Sequence, residues 1–499
     1  MGHRPLARMR RVASLLVAAG AVVLAVPSIA AATTRFAAPG GTAPDTMCTT
    51  TRAPCSIGAA AGGPDVTPDD EAIILPGSYA DQDLDGDASQ PNDHVVRPTA
   101  GVVRGAGGDR PVITLGTDSG FGAFVIGAGT ALSNLEIDTN SDTRNITILG
   151  GTVEDLIARS SVRFALVCAT PVTTSALLRN SACLSSGEGA SALGVNTSVP
   201  TGKHTVTLRN VTAVASGLNS FGMTVLAFSP NTVDLTVDGK AVIARGDATD
   251  VRAGGVSVTP MVPNTGGKAT VSLDHSSFAT AMPVSDGSGG TTTISAPGSA
   301  TNQTDPPLLA ADGYHQLAGS PTLEQGALDA SSASDDIDGQ NRTIGQLPDI
   351  GADEIGFPTS TAIACEPNPI QLGGGPALCT VTVTDTSSPP PVRFGSSVRL
   401  RSERFGEFGG NCEELGMTSP TQGTCTQPFR PGGVGVDRLT ATFPGDATHD
   451  SSHGTDVLQV TQPDAAPVPT IQPPVKKKCK RRKHRASAAK KKCKKKKRR

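Results

Sequence analysis

The chain has 499 residues with no Trp, two Tyr, 57 Gly and 38 Pro. Gly, Ser, Thr, Ala, Val and Asp dominate, which suits short β-strands and tight turns and argues against a helical protein. The net charge of −2 hides a split: from Lys476 to Arg499, 17 of 24 residues are Lys or Arg and none is acidic. That tail carries about +17, and the rest of the chain beyond the N-terminal arginines carries about −23.

The chain opens with Arg4, Arg8, Arg10 and Arg11, then an apolar run from Val12 to Val26. Small residues follow, and Ser28-Ile29-Ala30 or Ala30-Ala31-Ala32 offers a cleavage site. This order predicts a secretory signal over residues 1–32. The apolar run is short for a membrane anchor, since a span needs ~20 residues. No later stretch is long and apolar enough, so no transmembrane span is expected after the signal is removed. The mature chain is expected to be secreted or extracellular, or held at the cell wall.

Export favours disulfides, and the ten cysteines fall into sequence-local couples. The expected pairs are Cys48/Cys55, Cys168/Cys183, Cys365/Cys379 and Cys412/Cys425, with Cys479/Cys493 left in the tail. Spacing alone does not fix connectivity. None of the couples has the two-residue gap of a zinc or thioredoxin-type motif.

After an expected linker over 33–47 comes the sharpest local motif, Asp81 to Asp93. Asp81, Asp83, Asp85, Gly86 and Asp87 occupy positions 1, 3, 5, 6 and 7 of a calcium loop, with Gly86 permitting the sharp turn. Position 12 is Asn92 in place of the usual Glu, with Asp93 adjacent. A structural Ca²⁺ is the expected occupant, and a solvated acidic loop is the alternative. Four carboxylates this close repel one another without a cation.

From Cys48 to Ile355 no helical periodicity stands out. Short β-rich runs such as Ala72–Leu75, Phe124–Ile126, Thr205–Leu208 and Gly255–Val258 alternate with turn residues. A weak repeat, Leu-x-[Asn/His]-x-x-apolar, recurs at Leu178-Arg179-Asn180, Leu208-Arg209-Asn210 and Leu273-Asp274-His275, with a looser copy from Leu132. The first two copies lie 30 residues apart and the third 65 further on, near two rungs. A recurring apolar strand followed by Asn at a turn predicts a solenoid whose coils stack, with Asn side chains bonding along the turn column.

The stretch from Thr301 to Ile355 is more specific. Its Asp305-Pro306, Tyr314, Leu317, Ser320-Pro321, Gly326, Asp338-Gly339, Arg342, Asp349, Gly351-Ala352 and Glu354 closely resemble the closing segment of exported bacterial right-handed β-helix proteins. These are the pectin-lyase-like superfamily with a choice-of-anchor C-terminal pattern. Cys55-Ser56-Ile57 and Leu75–Tyr79 resemble a degenerate opening of the same proteins, with Gly58 and Ala59 replacing its Arg-Glu pair. The resemblance implies an all-β fold, with a right-handed parallel β-helix over 48–356 and its closing segment at 301–356. Residues 358–462, with alternating strands and a Phe443-Pro444-Gly445-Asp446 turn, resemble a bacterial immunoglobulin-like repeat, a β-sandwich. A Pro-rich linker follows at 463–475, and the tail at 476–499 is expected to be disordered.

Catalytic β-helix proteins carry carboxylate clusters on an outward sheet, and polygalacturonase-like members show Asn-Thr-Asp, Asp-Asp, Gly-His-Gly and Arg-Ile-Lys runs. Here Asp335-Asp336 alone matches, inside the closing segment. His204 and His275 have no partner motif, and Arg163, Arg179 and Arg209 read as surface residues. Asp338, Arg342, Asp349 and Glu354 are expected to pair where the solenoid end is capped, a structural role. The basic tail lacks interleaved aromatics for base stacking, so nucleic acid is not the expected partner. Anionic cell-wall polymers or acidic glycans are. The sequence therefore predicts a noncatalytic secreted or surface protein for adhesion or for glycan or envelope binding. The alternative is a secreted polysaccharide lyase or glycoside hydrolase acting on acidic polysaccharide.

Overall fold

The computed structural model describes residues 32–463, apart from 86–93, 108, 198–200, 229–232, 257–266, 286–288, 300, 388–393, 396 and 405. The expected signal, the cationic tail and the Cys479/Cys493 couple lie outside the described residues.

Nineteen strands build the first part of the chain. They are β1 (Thr34–Ala37), β2 (Glu71–Ile74), β3 (Ser78–Tyr79), β4 (Val102–Gly105), β5 (Val112–Leu115), β6 (Phe124–Ile126) and β7 (Ala131–Thr139). Then come β8 (Ile146–Ile148), β9 (Gly151–Ser160), β10 (Leu166–Val172), β11 (Ala176–Ser185), β12 (Ser191–Thr197) and β13 (Gly202–Ala215). The series ends with β14 (Phe221–Phe228), β15 (Val233–Gly246), β16 (Thr249–Val256), β17 (Lys268–Asp274), β18 (Ala281–Pro283) and β19 (Thr291–Ile294). One 12-stranded sheet runs β1-β2-β4-β7-β9-β11-β13-β15-β17-β19, with β3 and β5 attached, and a second, 7-stranded sheet runs β18-β16-β14-β12-β10-β8-β6. Every pairing in both is parallel. The chain thus alternates between two stacked sheets, one coil upon the next, as a parallel β-helix.

The weak sequence repeat marks a corner in each coil. Asn134, Asp155, Asn180, Asn210, Ala241 and His275 all have φ between 46° and 56°, and register places them in one column. The left-handed residue turns the strand, so the positions two before and one after both face the interior. Leu132 and Leu135, Val153 and Leu156, and Leu208 and Val211 do so, in one continuous core. Asn and Asp visit this conformation more readily than other side-chain-bearing residues. Ala241 stands midway in the 65-residue gap between Leu208 and Leu273, so the missing repeat is a coil whose corner lost its Asn.

Two points at the N-terminus correct the expectations. The segment 33–47 is not a linker: β1 pairs with β2 and opens the long sheet. Arg35 anchors this start, donating to the carbonyls of Asp45 and Asp65 (2.8 Å for Asp65) and pairing with Asp70 at 3.5 Å. Two short helices also break the all-strand pattern. The first, α1 (Ile57–Gly62), is capped by the Ser56 hydroxyl accepting from Ala59 N, and it buries Ile57, Ala60 and Ala61 on the first coils. The second is α2 (Asp81–Asp85).

Strands β20 (Thr359–Glu366), β21 (Ile370–Gln371), β22 (Ala377–Asp385), β23 (Arg399–Ser402) and β24 (Gly406–Phe408) begin a separate unit. It continues with β25 (Gly416–Ser419), β26 (Gln422–Pro431), β27 (Gly435–Phe443) and β28 (Ser452–Thr461). A five-stranded sheet (β20-β22-β26-β24, with β25 on β26) faces a four-stranded one (β21-β28-β27-β23). Only β21–β28 is parallel. Val381, Phe429, Leu439, Phe443 and Leu458 fill the space between the sheets.

Four cysteine couples sit at bonding distance. Cys168–Cys183 joins β10 to β11 inside the solenoid core, with Cα atoms 5.8 Å apart, and Cys48–Cys55 closes the N-terminal loop at 5.5 Å. Cys365–Cys379 links directly opposed residues of β20 and β22, and Cys412–Cys425 ties a loop to β26. Among the described residues no helix is long and apolar enough to cross a membrane.

Candidate functional site: a cleft beneath the closing segment

The closing segment does not cap the open end of the solenoid, as its charges had suggested. It runs along the outward flank of the long sheet. Ile157, Ala182 and Leu184 point away from the main core and form a second apolar cluster with Tyr314, Ile337 and Ala352. Polar contacts fasten it along β9 to β15. Arg159 donates to Asp312 O at 2.5 Å, and Arg179 donates to Ser331 O at 3.4 Å. The Arg209 Nε donates to both Asp329 oxygens at 2.9 and 3.0 Å, and Arg245 donates to Asp305 O at 2.7 Å. The amides of Gly351 and Ala352 add to β15 and β13, donating to Ala241 O and Thr212 Oγ1, both at 3.0 Å.

The four charged residues expected to pair with one another largely serve backbone instead. The Arg342 side chain, 1% exposed, donates to Gly351 O, Ala352 O and the Asn180 side chain at 2.5–3.2 Å. Asp349 accepts from the amides of Glu324 and Ile355, and Glu354 from those of Ile344 and Asp349. Asp336 accepts from the amides of Asp338, Gln340 and Glu354. The segment has almost no strands, so carboxylates take up the amides that a sheet ladder would otherwise satisfy. Burial raises these acids: Asp336 and Asp349 to about 6, and Glu354 to about 8.

Between the closing segment, the solenoid flank and the sandwich lies a cleft of about 1110 Å³. Its walls include Arg110, Asn134, Asp155, His315, Asp338 and Asp353. Burial, and then the charge of Glu154, raises Asp155 to about 7. His315 stands between two carboxylates, with Nδ1 2.5 Å from Asp312 and Nε2 2.7 Å from Asp338. Burial alone would lower its pKa, but the hydrogen bond and charge of Asp338, reinforced by Asp353 and Asp312, raise it to about 10. Burial pushes Asp353 up to about 8 against the opposing charge of His315. Raised acids and a charged imidazole in one cleft are the groups from which acid–base or metal chemistry is built. A smaller groove of about 460 Å³ follows the flank, lined by Ser160, Ser161, Ser185, Ser186 and Ser216.

The residues singled out in the sequence are placed as follows. Asp81 and Asp83 lie in α2, and their oxygens serve different partners. Asp83 accepts from Gly40 N and Ala80 N at 2.7 and 2.9 Å, and Asp81 from Gly116 N and the Thr117 hydroxyl at 3.0–3.2 Å. The Asp85 side chain, Asp87 and Asp93 lie outside the described residues. Asp335 bridges Asn341 and accepts from the Asn180 side chain through its backbone carbonyl, and both Asp335 and Asp336 line the cleft. His204 contacts Thr201 O at 3.3 Å, His275 is a corner residue beside Asp274, and Arg163 pairs with Glu188 on the surface.

His315 was missed, although Tyr314 and Leu317 on either side carried the family resemblance. The Asp312/His315 spacing was the available signal. Scanned against protein-family models, curated proteins and solved structures, the chain has no significant match to any of them.

Proposed function

We propose that this chain is a noncatalytic exported surface protein that binds glycans or envelope polymers. In this reading it is a pectin-lyase-like β-helix carrying an immunoglobulin-like spacer, held at the cell wall by its cationic tail. The observation that carries the proposal is the covered flank. Arg159, Arg179, Arg209 and Arg245 stand on the outward flank where a polysaccharide-cleaving groove would draw cations, and each donates to the closing segment. The signal-like N-terminus and the four cysteine couples fit an exported protein.

The tail supplies the attachment. Each Lys or Arg near an anionic surface contributes ~1 kcal/mol at low salt, screened as ionic strength rises. Deleting residues 476–499 is expected to release the protein from cells into the medium, whereas the intact chain requires high salt for extraction. Unchanged association and unchanged salt dependence in the deletion would refute the tail's role.

A second reading, a secreted polysaccharide lyase or hydrolase, is favoured by one observation: Asp155, Asp336 and Asp353 face the same cleft with their pKa values raised. A screen of uronate-containing glycans for new unsaturated or reducing ends separates the two readings. Turnover abolished by Asp155→Asn would favour the enzyme.

A further inference from the structure

We infer that the outer face of the seven-stranded sheet binds a phosphodiester-linked polyol polymer, laid along the solenoid axis from Arg97 past Arg144 to Arg252. The inference rests on the envelope-binding reading and names the polymer class and the face that meets it. Arg97 follows Val96, the bridge partner of Phe124, and so opens the column that runs through Thr147 and Gly194 to Arg252 and Met282. Met282 is 41% exposed, which marks the column as outward. From Arg97 to Arg252 the column crosses six coil steps of about 4.8 Å, or roughly 29 Å. Arg144 stands on the coil that carries Thr147.

Two observations point to an anionic ligand. The first is the charge of the face: the body carries about −23, yet the seven strands contain one acidic residue, Asp250. Asp250 is 5% exposed, accepts from the amides of Gly246, Ala279 and Thr280, and pairs with Arg245 at 3.3 Å. The second is that the three arginines lack counter-charges. Among the described residues no carboxylate pairs with any of them. Arg252 is half-buried, and burial pushes its pKa below the ordinary arginine value with no carboxylate opposing the shift. A guanidinium drawn out of water without a counter-charge favours an anion beside it. The neighbouring Arg163, by contrast, is already paired with Glu188 at 2.9 Å.

The way the arginines are held selects the polymer. Arg97 and Arg144 stand 5.1 and 6.0 Å from the centre of the Phe121 ring, and Arg252 lies 3.6 Å from that of Phe221. Arg252 also donates to the Thr224 hydroxyl at 2.9 Å. The two phenylalanines thus hold guanidinium groups instead of stacking a sugar ring or a nucleobase. A planar fork held in place pairs two phosphate oxygens and loses little further entropy. Cations strung over this length fit an extended chain with one charge per unit.

The test uses the full chain with synthetic poly(glycerol phosphate) as the probe, and oligogalacturonate of equal charge as a second arm. Arginine modification by phenylglyoxal is mapped by peptide mass. With poly(glycerol phosphate) in excess, it should slow at least ~5-fold at Arg97, Arg144 and Arg252. Exposed Arg401 of the sandwich should react as before. Replacing Arg144→Gln and Arg252→Gln together should lower the log–log salt dependence of binding by roughly 0.7 per arginine, the value for single-stranded polyanions. The cationic tail also meets the probe, so the site-resolved readout is the decisive one. Binding of the full chain without protection of the three arginines would overturn this face and leave the tail-mediated reading standing. No binding at all would overturn both. Equal protection by oligogalacturonate would overturn the polymer class.

Discussion

At the scale of single residues, the corner column explains both the repeat and its gaps. Asn180 uses its side chain fully: Nδ2 donates to Asp335 O and lies 3.4 Å from Asp155, while Oδ1 accepts from Arg342. Asn210, one coil along, is fully buried, and neither polar atom of its side chain has a partner. Its neighbour on one side is Ala241, which offers no side-chain donor or acceptor. The expected bonding of Asn side chains along the column is therefore reduced, among the described residues, to the contact of Asn180 with Asp155, and no Asn bonds another Asn. Asp155 is the acidic member, and its consequence is dependence on pH. Its folded pKa, about 7, lies above the unfolded value of about 3.9. The folded state thus holds the proton more tightly, and stability is lost as pH rises from about 4 to about 7, then levels off. Asp155→Asn restores the column's usual residue and removes that loss. Its unfolding free energy should match the parent near pH 4 and exceed it above pH 7, by on the order of 1–3 kcal/mol, read from denaturant melts at each pH. A pH-independent difference would show that ionisation of Asp155 is not the cause.

At the scale of elements, the residue pattern of 301–356 set that stretch apart in the sequence, but its position on the flank of the solenoid was not legible there. Alternation along β9 and β11 predicts which side chains leave the core, yet Ile157, Ala182 and Leu184 read as ordinary strand residues until their partners Tyr314, Ile337 and Ala352 are in place. The segment itself has no period, because its amides are satisfied by carboxylates scattered along the sequence. The N-terminal coil was hidden for a related reason. β1 is four residues long, and its partner β2 lies 37 residues downstream. Gly351 shows how closely the segment approaches the sheet. Its φ is +116°, and an added Cβ would stand 2.7 Å from Ile243 Cδ1 and 3.0 Å from Thr212 Oγ1. Gly351→Ala should cost about 1–3 kcal/mol. Limited proteolysis should then cut within 301–356 at protease levels that leave the parent intact. An unchanged digestion pattern would mean that the close approach is unimportant.

At the scale of the whole molecule, the closing segment also joins the two units. Phe357 N donates to Thr448 O at 2.8 Å, Asp450 N to Phe357 O at 2.9 Å, and Asn341 N to Ala447 O at 2.8 Å. Gly356 N donates to Asp450 Oδ1 at 2.9 Å, and Arg399 of the sandwich pairs with Asp109 of the solenoid. The loop making these contacts is stiffened from within. Asp446 accepts from the amides of Thr448 and His449, and its carboxylate holds the buried His449 ring at 2.8 Å. The sequence marked the Phe443–Asp446 turn, but not that its loop meets the solenoid. Asp450→Ala should lower stability by ~1 kcal/mol through the unpaired Gly356 amide. It should also raise amide exchange at Gly356 without changing exchange in β13.

The covered flank is the point on which the account depends, and native-state hydrogen exchange reads it directly. If the closing segment is a fixed part of the solenoid wall, the Gly351 and Ala352 amides will exchange in the same slow class as the β13 and β15 amides beneath them. Exchange of those two amides at loop rates, with β13 and β15 still protected, would mean that the flank opens on its own, and the noncatalytic reading would lose its main support.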